Sequence, residues 1–230
     1  MPTITEALAQ FLDETGAGNP RSTASPTAII ELFQDYLNAG AADDLDVEDR
    51  QRFNVEYRHD RRFCDIFGPE YIQPFHLNAM TGHFAVRRGY GTKGFLRAVG
   101  PVMERLGAWL VLKGFWGSRQ HAEYRELAGD NPGDRLVGCD EFCRLLVQHV
   151  EMHPARAPID LPDEDHLEGE FMIRVAAPGK LALDSLVGDE ILLTLPRMVT
   201  AKARPGWSIN LELARIRGTW RVLGVGRVYP

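Results

Sequence analysis

The sequence predicts an α+β protein: an N-terminal helical bundle followed by a small five-stranded β-barrel of the SH3-like or OB type. Three observations carry this. Apolar residues recur at i, i+3, i+4 and i+7 through most of residues 1–153, the period of helices with one buried face. Residues 154–168 (Pro-Ala-Arg-Ala-Pro-Ile-Asp-Leu-Pro-Asp-Glu-Asp-His-Leu-Glu) hold three prolines and five acids, the composition of an extended linker. Beyond them the apolar period falls to two, and turn residues recur at short intervals.

The helices follow in order. Ile4, Leu8 and Leu12 share one face of a short first helix, which Gly-Ala-Gly-Asn-Pro at 16–20 ends. Ser25 before Pro26 reads as an N-cap with proline at the first helical position, and Ile29, Ile30, Phe33, Tyr36 and Leu37 continue as a stripe. Residues 40–62 are polar and charged, with one helix around Val47–Tyr57. Asp65-Ile-Phe-Gly-Pro-Glu70 reads as a turn. A helical stretch with Leu77, Met80 and Phe84 follows. The clearest helix carries Phe95, Val99, Val102, Met103, Leu106, Trp109 and Leu110 and ends near Gly114. Within the connecting helical segment 119–153, a helix from about Asp140 to Met152 carries Phe142, Leu145, Leu146 and Val150, and Pro154 stops it.

The strands come last. Phe171, Ile173 and Val175 alternate, and Pro178-Gly179 turns the chain into Leu181, Leu183 and Leu186. Ile191–Leu195 forms a short apolar strand. Trp207, Ile209, Leu211 and Leu213 alternate, Gly218 centres a turn, and Trp220–Tyr229 completes a hairpin. Closure into a barrel would protect the edges of so few strands, and Gly224 and Gly226 suit a coiled barrel strand. The expected domains are therefore 1–118, a connecting segment 119–153, the linker 154–168 and the barrel 169–230.

Composition narrows the class. Of 230 residues, 44% are hydrophobic and 25% charged, ordinary for a globular chain. No apolar run is long enough for a membrane span, and the first residues lack the basic-then-apolar pattern of a signal peptide. Three cysteines, Cys64, Cys139 and Cys143, form no disulfide framework, so a reducing cytoplasm is the expected setting. The net charge of −6 is unevenly spread. Residues 119–196 carry 7 Lys+Arg against 16 Asp+Glu, whereas residues 197–230 carry 7 against 1.

Several motifs suggest chemistry without completing it. Gly89-Tyr-Gly-Thr-Lys-Gly94 spells G-x-G-x-x-G, but the preceding segment reads as helix and residues 105–122 contain no acid. It therefore reads as a glycine-rich turn between helices. Cys139, Cys143, His149 and His153 resemble zinc ligands in type. All four lie on one expected helix, which cannot wrap around an ion, so the competing reading is a core stripe. Cys64 beside Arg61 and Arg62 reads as a buried neutral thiol, since no partner histidine is evident. No catalytic set, metal or cofactor is expected. Two basic features remain. Residues 71–103 have no acid and carry Arg87, Arg88, Lys93 and Arg97 among Tyr90, Phe84 and Phe95. The tail carries Arg197, Lys202, Arg204, Arg215, Arg217, Arg221 and Arg227 among Trp207, Trp220 and Tyr229. Small barrels combine such charge with aromatic stacking to hold nucleic acid. The competing reading makes the tryptophans core and pairs the arginines with acids at 160–170.

Residues 3–118 resemble the SAM-like core-binding domain of tyrosine recombinases. The resemblance rests on Ile4-Thr-Glu-Ala-Leu-Ala-Gln-Phe-Leu12, Ser25-Pro-Thr-Ala-Ile-Ile-Glu-Leu-Phe-Gln-Asp-Tyr-Leu37, and the helix from Leu96 to Phe115 with its Trp-Leu pair and basic-Gly-apolar stop. It implies a helical bundle that clamps DNA. That family's catalytic H-x-x-R segment and tyrosine nucleophile have no fitting counterpart. His59-Asp-Arg-Arg62 lies inside the clamp, His153-Pro-Ala-Arg156 lies at a helix end, and Tyr229 is far downstream in an expected strand. Cleavage and joining of DNA are not implied. The expected function is non-enzymatic binding of nucleic acid, DNA before RNA, by Arg87, Arg88, Lys93, Arg97, Arg215, Arg217, Arg221 and Arg227. The alternative is a protein-interaction module that docks an acidic partner.

Overall fold

Thr3 begins the first helix with a reciprocal cap. Its hydroxyl accepts the Glu6 N–H at 3.2 Å, and the Glu6 carboxylate accepts the Thr3 N–H at 2.9 Å. The computed structural model describes residues 1–16, 25–84, 93–129, 132–156, 162–185 and 190–230. The described chain is α+β and divides into two compact units, Met1–Asp134 and Arg135–Pro230.

The first unit is helical. Helix α1 (Ile4–Glu14) buries Ile4, Ala7, Leu8 and Phe11. Helix α2 (Pro26–Gly40) starts where Ser25 accepts the Ala28 N–H, and buries Ile29, Ile30, Leu32, Phe33 and Leu37. Helix α3 (Val47–Tyr57) buries no residue, as its polar composition foretells. Where the sequence suggests only a turn at 65–70, a one-turn helix α4 (Phe63–Ile66) and a 3₁₀ turn (Pro69–Tyr71) form instead. Phe63, Ile66 and Phe67 are buried, so this segment is core rather than connection. Helix α5 (Pro74–Ala79) runs into a π turn (Met80–Phe84).

Helix α6 (Lys93–Leu112) is the spine of this unit, with Phe95, Val99, Met103, Leu106 and Leu110 buried. It ends at Gly114, φ +76°, with the Phe115 N–H bonded to the Leu110 carbonyl and the Gly114 N–H to Val111. This is the glycine-terminated closure that satisfies the last carbonyls of a helix. Helix α7 (Ser118–Ala128) packs on α5 and α6. Gly107 permits the approach, since a Cβ there would stand 3.2 Å from the His121 ring.

The second unit is a five-stranded antiparallel sheet covered by helix α8, which runs from Pro132 to Met152. The strands are β1 (His166–Ala177), β2 (Lys180–Ser185), β3 (Glu190–Thr194), β4 (Ser208–Ile216) and β5 (Thr219–Tyr229), in the order β3-β2-β1-β4-β5. A short helix α9 (Arg197–Thr200) links β3 towards β4. Inward residues match across the ladder: Phe171 faces Ile209, Leu183 faces Ile191, and Leu213 faces Val222. They meet Cys139, Phe142 and Leu146 from α8 in one core.

Three sequence expectations need correction here. The sheet is not a closed barrel. Its edge strands β3 and β5 bring Cα atoms within 8 Å of each other, yet no ladder joins them. Helix α8 covers the apolar inner face that closure would otherwise bury. Val175 does not point inward. A bulge between Ile173 and Val175 breaks the alternation, and Val175 is 46% exposed. Gly224 and Gly226 serve close approach to β4 where its pairing is irregular. A Cβ on Gly226 would lie 2.8 Å from the Asn210 Cβ. The compact units divide at Asp134/Arg135, so nearly all of α8 belongs to the same unit as the sheet.

Candidate nucleic-acid interface

The β4–β5 hairpin turns through Arg217 and Gly218, at φ 51° and 76°. Two consecutive positive φ angles suit a tight hairpin, and Asn-Gly is the favoured pair there. Arginine in this backbone region carries a steric cost of roughly 1 kcal/mol. The exposed Arg217 side chain therefore stands at the hairpin tip against local preference.

Cross-strand pairing brings Arg215 opposite Trp220 and Arg221 opposite Ala214. The Arg215 guanidinium lies 5.6 Å from the Trp220 ring centroid and holds the Asp165 carboxylate at 2.5 Å. Three of the basic residues singled out in the sequence, Arg215, Arg217 and Arg221, thus share one end of the sheet with one aromatic. Arg227 lies further along β5, near Cys143 of α8. The other aromatics do not join them. Trp207 is core, in contact with Phe142, and Tyr229 is buried.

Beside this hairpin, in the gap between β3 and β5, lies a cleft of about 410 Å³. His149, Val150 and His153 reach it from α8, Leu193–Pro196 from the end of β3, and Trp220, Arg221 and Val222 from β5. Among the described residues, none that lines it is a carboxylate. The two imidazoles are 4.8 Å apart, and His153 Nδ1 lies 3.2 Å from the His149 carbonyl oxygen. That contact makes Nδ1 the protonated nitrogen. Burial, and then the neighbouring His153, holds His149 below the usual imidazole range. The helical i, i+4 spacing of these histidines was visible in the sequence. Their placement against Trp220 and Arg221 was not, because it depends on an open sheet.

The cysteines do not join the histidines. Cys139 is fully buried in the core, and Cys143 Sγ faces the Gly226 carbonyl at 3.3 Å. Burial pushes both thiols upward. Cys64 is likewise buried and raised by desolvation, then by Asp65 and Asp35. Among the described residues, no group of three or more His, Cys, Asp or Glu is placed to hold a metal ion.

In the helical unit, Lys93 and Arg97 are exposed on the first turns of α6. Arg97 lines a cavity of about 730 Å³ together with Arg125 and the acids Glu104, Glu126 and Asp134, so the field there is mixed. Arg87 and Arg88, like the glycine-rich segment before Lys93, lie outside the described residues. Among the described residues, no helix is long and apolar enough to cross a membrane.

Fold and site together define a two-unit α+β protein whose sheet unit carries a cleft lined by Arg221, two histidines and Trp220. No protein-family model matches the chain, and neither a curated protein nor a solved structure does.

Proposed function

We propose that the protein is a non-enzymatic nucleic-acid-binding protein that engages the phosphate backbone with the β4–β5 hairpin end of its sheet unit. One observation carries this reading: Arg217 occupies a turn position that costs an arginine backbone energy, beside Arg221 and Trp220 and a cleft whose described lining holds no carboxylate. Phosphate contacts would dominate affinity, and Trp220 would supply a stacking face. The resemblance of residues 3–118 to a recombinase DNA clamp supports further phosphate contacts from Arg87, Arg88, Lys93 and Arg97, with DNA as the favoured partner.

The test is fluorescence anisotropy with duplex DNA, single-stranded DNA and RNA at about 50 and 200 mM salt, where counterion release makes such binding strongly salt-dependent. Binding is expected at the lower concentration and a loss of tenfold or more at the higher. Arg221→Ala should weaken it and reduce the salt slope by about one. Arg217→Asn should weaken binding while raising the melting temperature, since asparagine tolerates the turn. No binding to any of the three at low salt overturns the proposal.

A second reading, docking of an acidic protein segment, is favoured by the Arg215–Asp165 ion pair, in which the sheet already holds an acid from the chain just before β1. Recovery of one stoichiometric protein, free of nucleic acid, would support it.

A further inference from the structure

The cleft between β3 and β5 has a size and chemistry that select among ligands. Extended peptide is a poor fit. Adding a strand between two others requires two spacings of about 4.8 Å, or roughly 9.6 Å, and β3 and β5 approach within 8 Å. Where the two strands come that close there is no room for an inserted strand, while the edges remain unjoined. A volume of about 410 Å³ falls in the range of small-molecule sites and admits one compact ligand.

Charge narrows the ligand further. Arg221, His149 and His153 converge on the cleft with no carboxylate among its described lining residues, although the chain as a whole is acidic. The two histidines stand at the C-terminal end of α8, where the helix dipole favours cations. An anion would thus be met by the Arg221 guanidinium and the imidazole rings rather than by backbone N–H groups. With Nδ1 of His153 donating to the His149 carbonyl, Nε2 is the nitrogen left for the ligand, and it donates only when the ring is imidazolium, the form that a neighbouring anion favours. Leu193, Leu195 and Val222 give the apolar part of the wall, and Trp220, braced by Arg215, gives a planar one. A planar, partly apolar group joined to a dianionic head matches this set. A phosphomonoester carries about −1.5 to −2 near neutrality, against −1 for the diesters within a strand.

We propose that this cleft binds a single nucleotide through its phosphomonoester, with His149, His153 and Arg221 on the phosphate and Trp220 against the base. This rests on the nucleic-acid reading for one source of the ligand, the phosphorylated end of a strand; the other source is a free mononucleotide.

The experiment compares a labelled single-stranded 12-mer in three forms, 5′-phosphorylated, 3′-phosphorylated and unphosphorylated, with AMP and adenosine as competitors and by direct titration calorimetry. One phosphorylated form is expected to bind about tenfold more tightly than the unphosphorylated one, the scale of one charge-assisted hydrogen bond. AMP should compete and adenosine should not. His149→Gln with His153→Gln should erase the difference between the oligonucleotides while leaving the binding of the unphosphorylated one, with a melting curve confirming the fold. Binding of AMP alone, with no oligonucleotide bound, supports the cleft site and overturns the strand-binding reading. Equal affinity for all three oligonucleotides with no AMP binding overturns the cleft site and leaves strand binding standing. No binding of any probe overturns both.

Discussion

His76 shows how one buried side chain sets a pH limit on the helical unit. It is 1% exposed, and its Nδ1 accepts the Gln73 N–H at 3.0 Å. That bond leaves Nε2 as the protonated nitrogen, 3.3 Å from the Asp44 carboxylate. Burial lowers the histidine from its ordinary 6.5, against the opposing pull of Asp44. Protonation would also put a hydrogen on the nitrogen that accepts from Gln73. The folded pKa is thus depressed, so the unfolded chain binds the proton more readily. Stability contributed at neutral pH is lost as pH falls below 6.5. The thermal midpoint of the wild type is expected to drop between about pH 7.5 and 5.5, and His76→Gln should show a shallower drop. Parallel slopes would remove His76 as the cause. Glu14 is the companion case for a surface acid. Bonds from Lys113, Trp109 and Gln10 hold it at about 2, and the first two tie α1 to α6.

At the scale of elements, helices are placed by what their neighbours lack. Pro101 lies inside α6 and has no N–H to offer the Arg97 carbonyl one turn earlier. The first turn of α8 presses on that same carbonyl at Gly133, where a Cβ would stand 2.7 Å from the oxygen. Backbone cannot yield as a flexible side chain can. Gly133→Ala is therefore expected to destabilise the helical unit by about 1–3 kcal/mol, as overpacking does, read as a lowered urea midpoint. An unchanged midpoint would mean that the α8 terminus moves freely. The strands follow the same logic. At the bulge that exposes Val175, Arg174 bridges Asp184 of the adjacent β2 at 3.3 Å and Glu190 of β3 beyond it.

At the scale of the whole molecule, the division into units decides which piece can fold. The sheet's inner face is covered by Cys139, Phe142 and Leu146 of α8, all fully buried. Losing them would strip a large aromatic and two smaller side chains from a core, and a single buried Phe→Ala costs about 3–5 kcal/mol. That approaches the whole stability of a small domain. A fragment spanning 135–230 is expected to fold cooperatively, and one spanning 169–230 to remain unfolded by circular dichroism and denaturant titration. A cooperative transition in the shorter fragment would show that the sheet closes by itself. The acidic middle and basic tail also resolve into places. Glu168 and Glu170 are exposed on β1, Glu212 pairs with His166 across to β4, and three of the seven tail cations, Arg215, Arg217 and Arg221, lie at the β4–β5 hairpin end.

The sequence by itself determined the helical front and the β tail, the Ser25 cap, the Gly114 stop and the inward rows Ile209-Leu211-Leu213 and Leu181-Leu183. These follow from periodicity and from residues whose backbone preferences act locally. It also located the basic tail, because charge can be counted along a chain. Only the tertiary structure decided that the sheet stays open, that α8 is its cover, and that Trp207 is core while Trp220 edges a cleft. Each of these depends on contacts between residues far apart in the chain. His149 and Arg221 are neighbours only because α8 covers the sheet and its edge strands stop short of pairing.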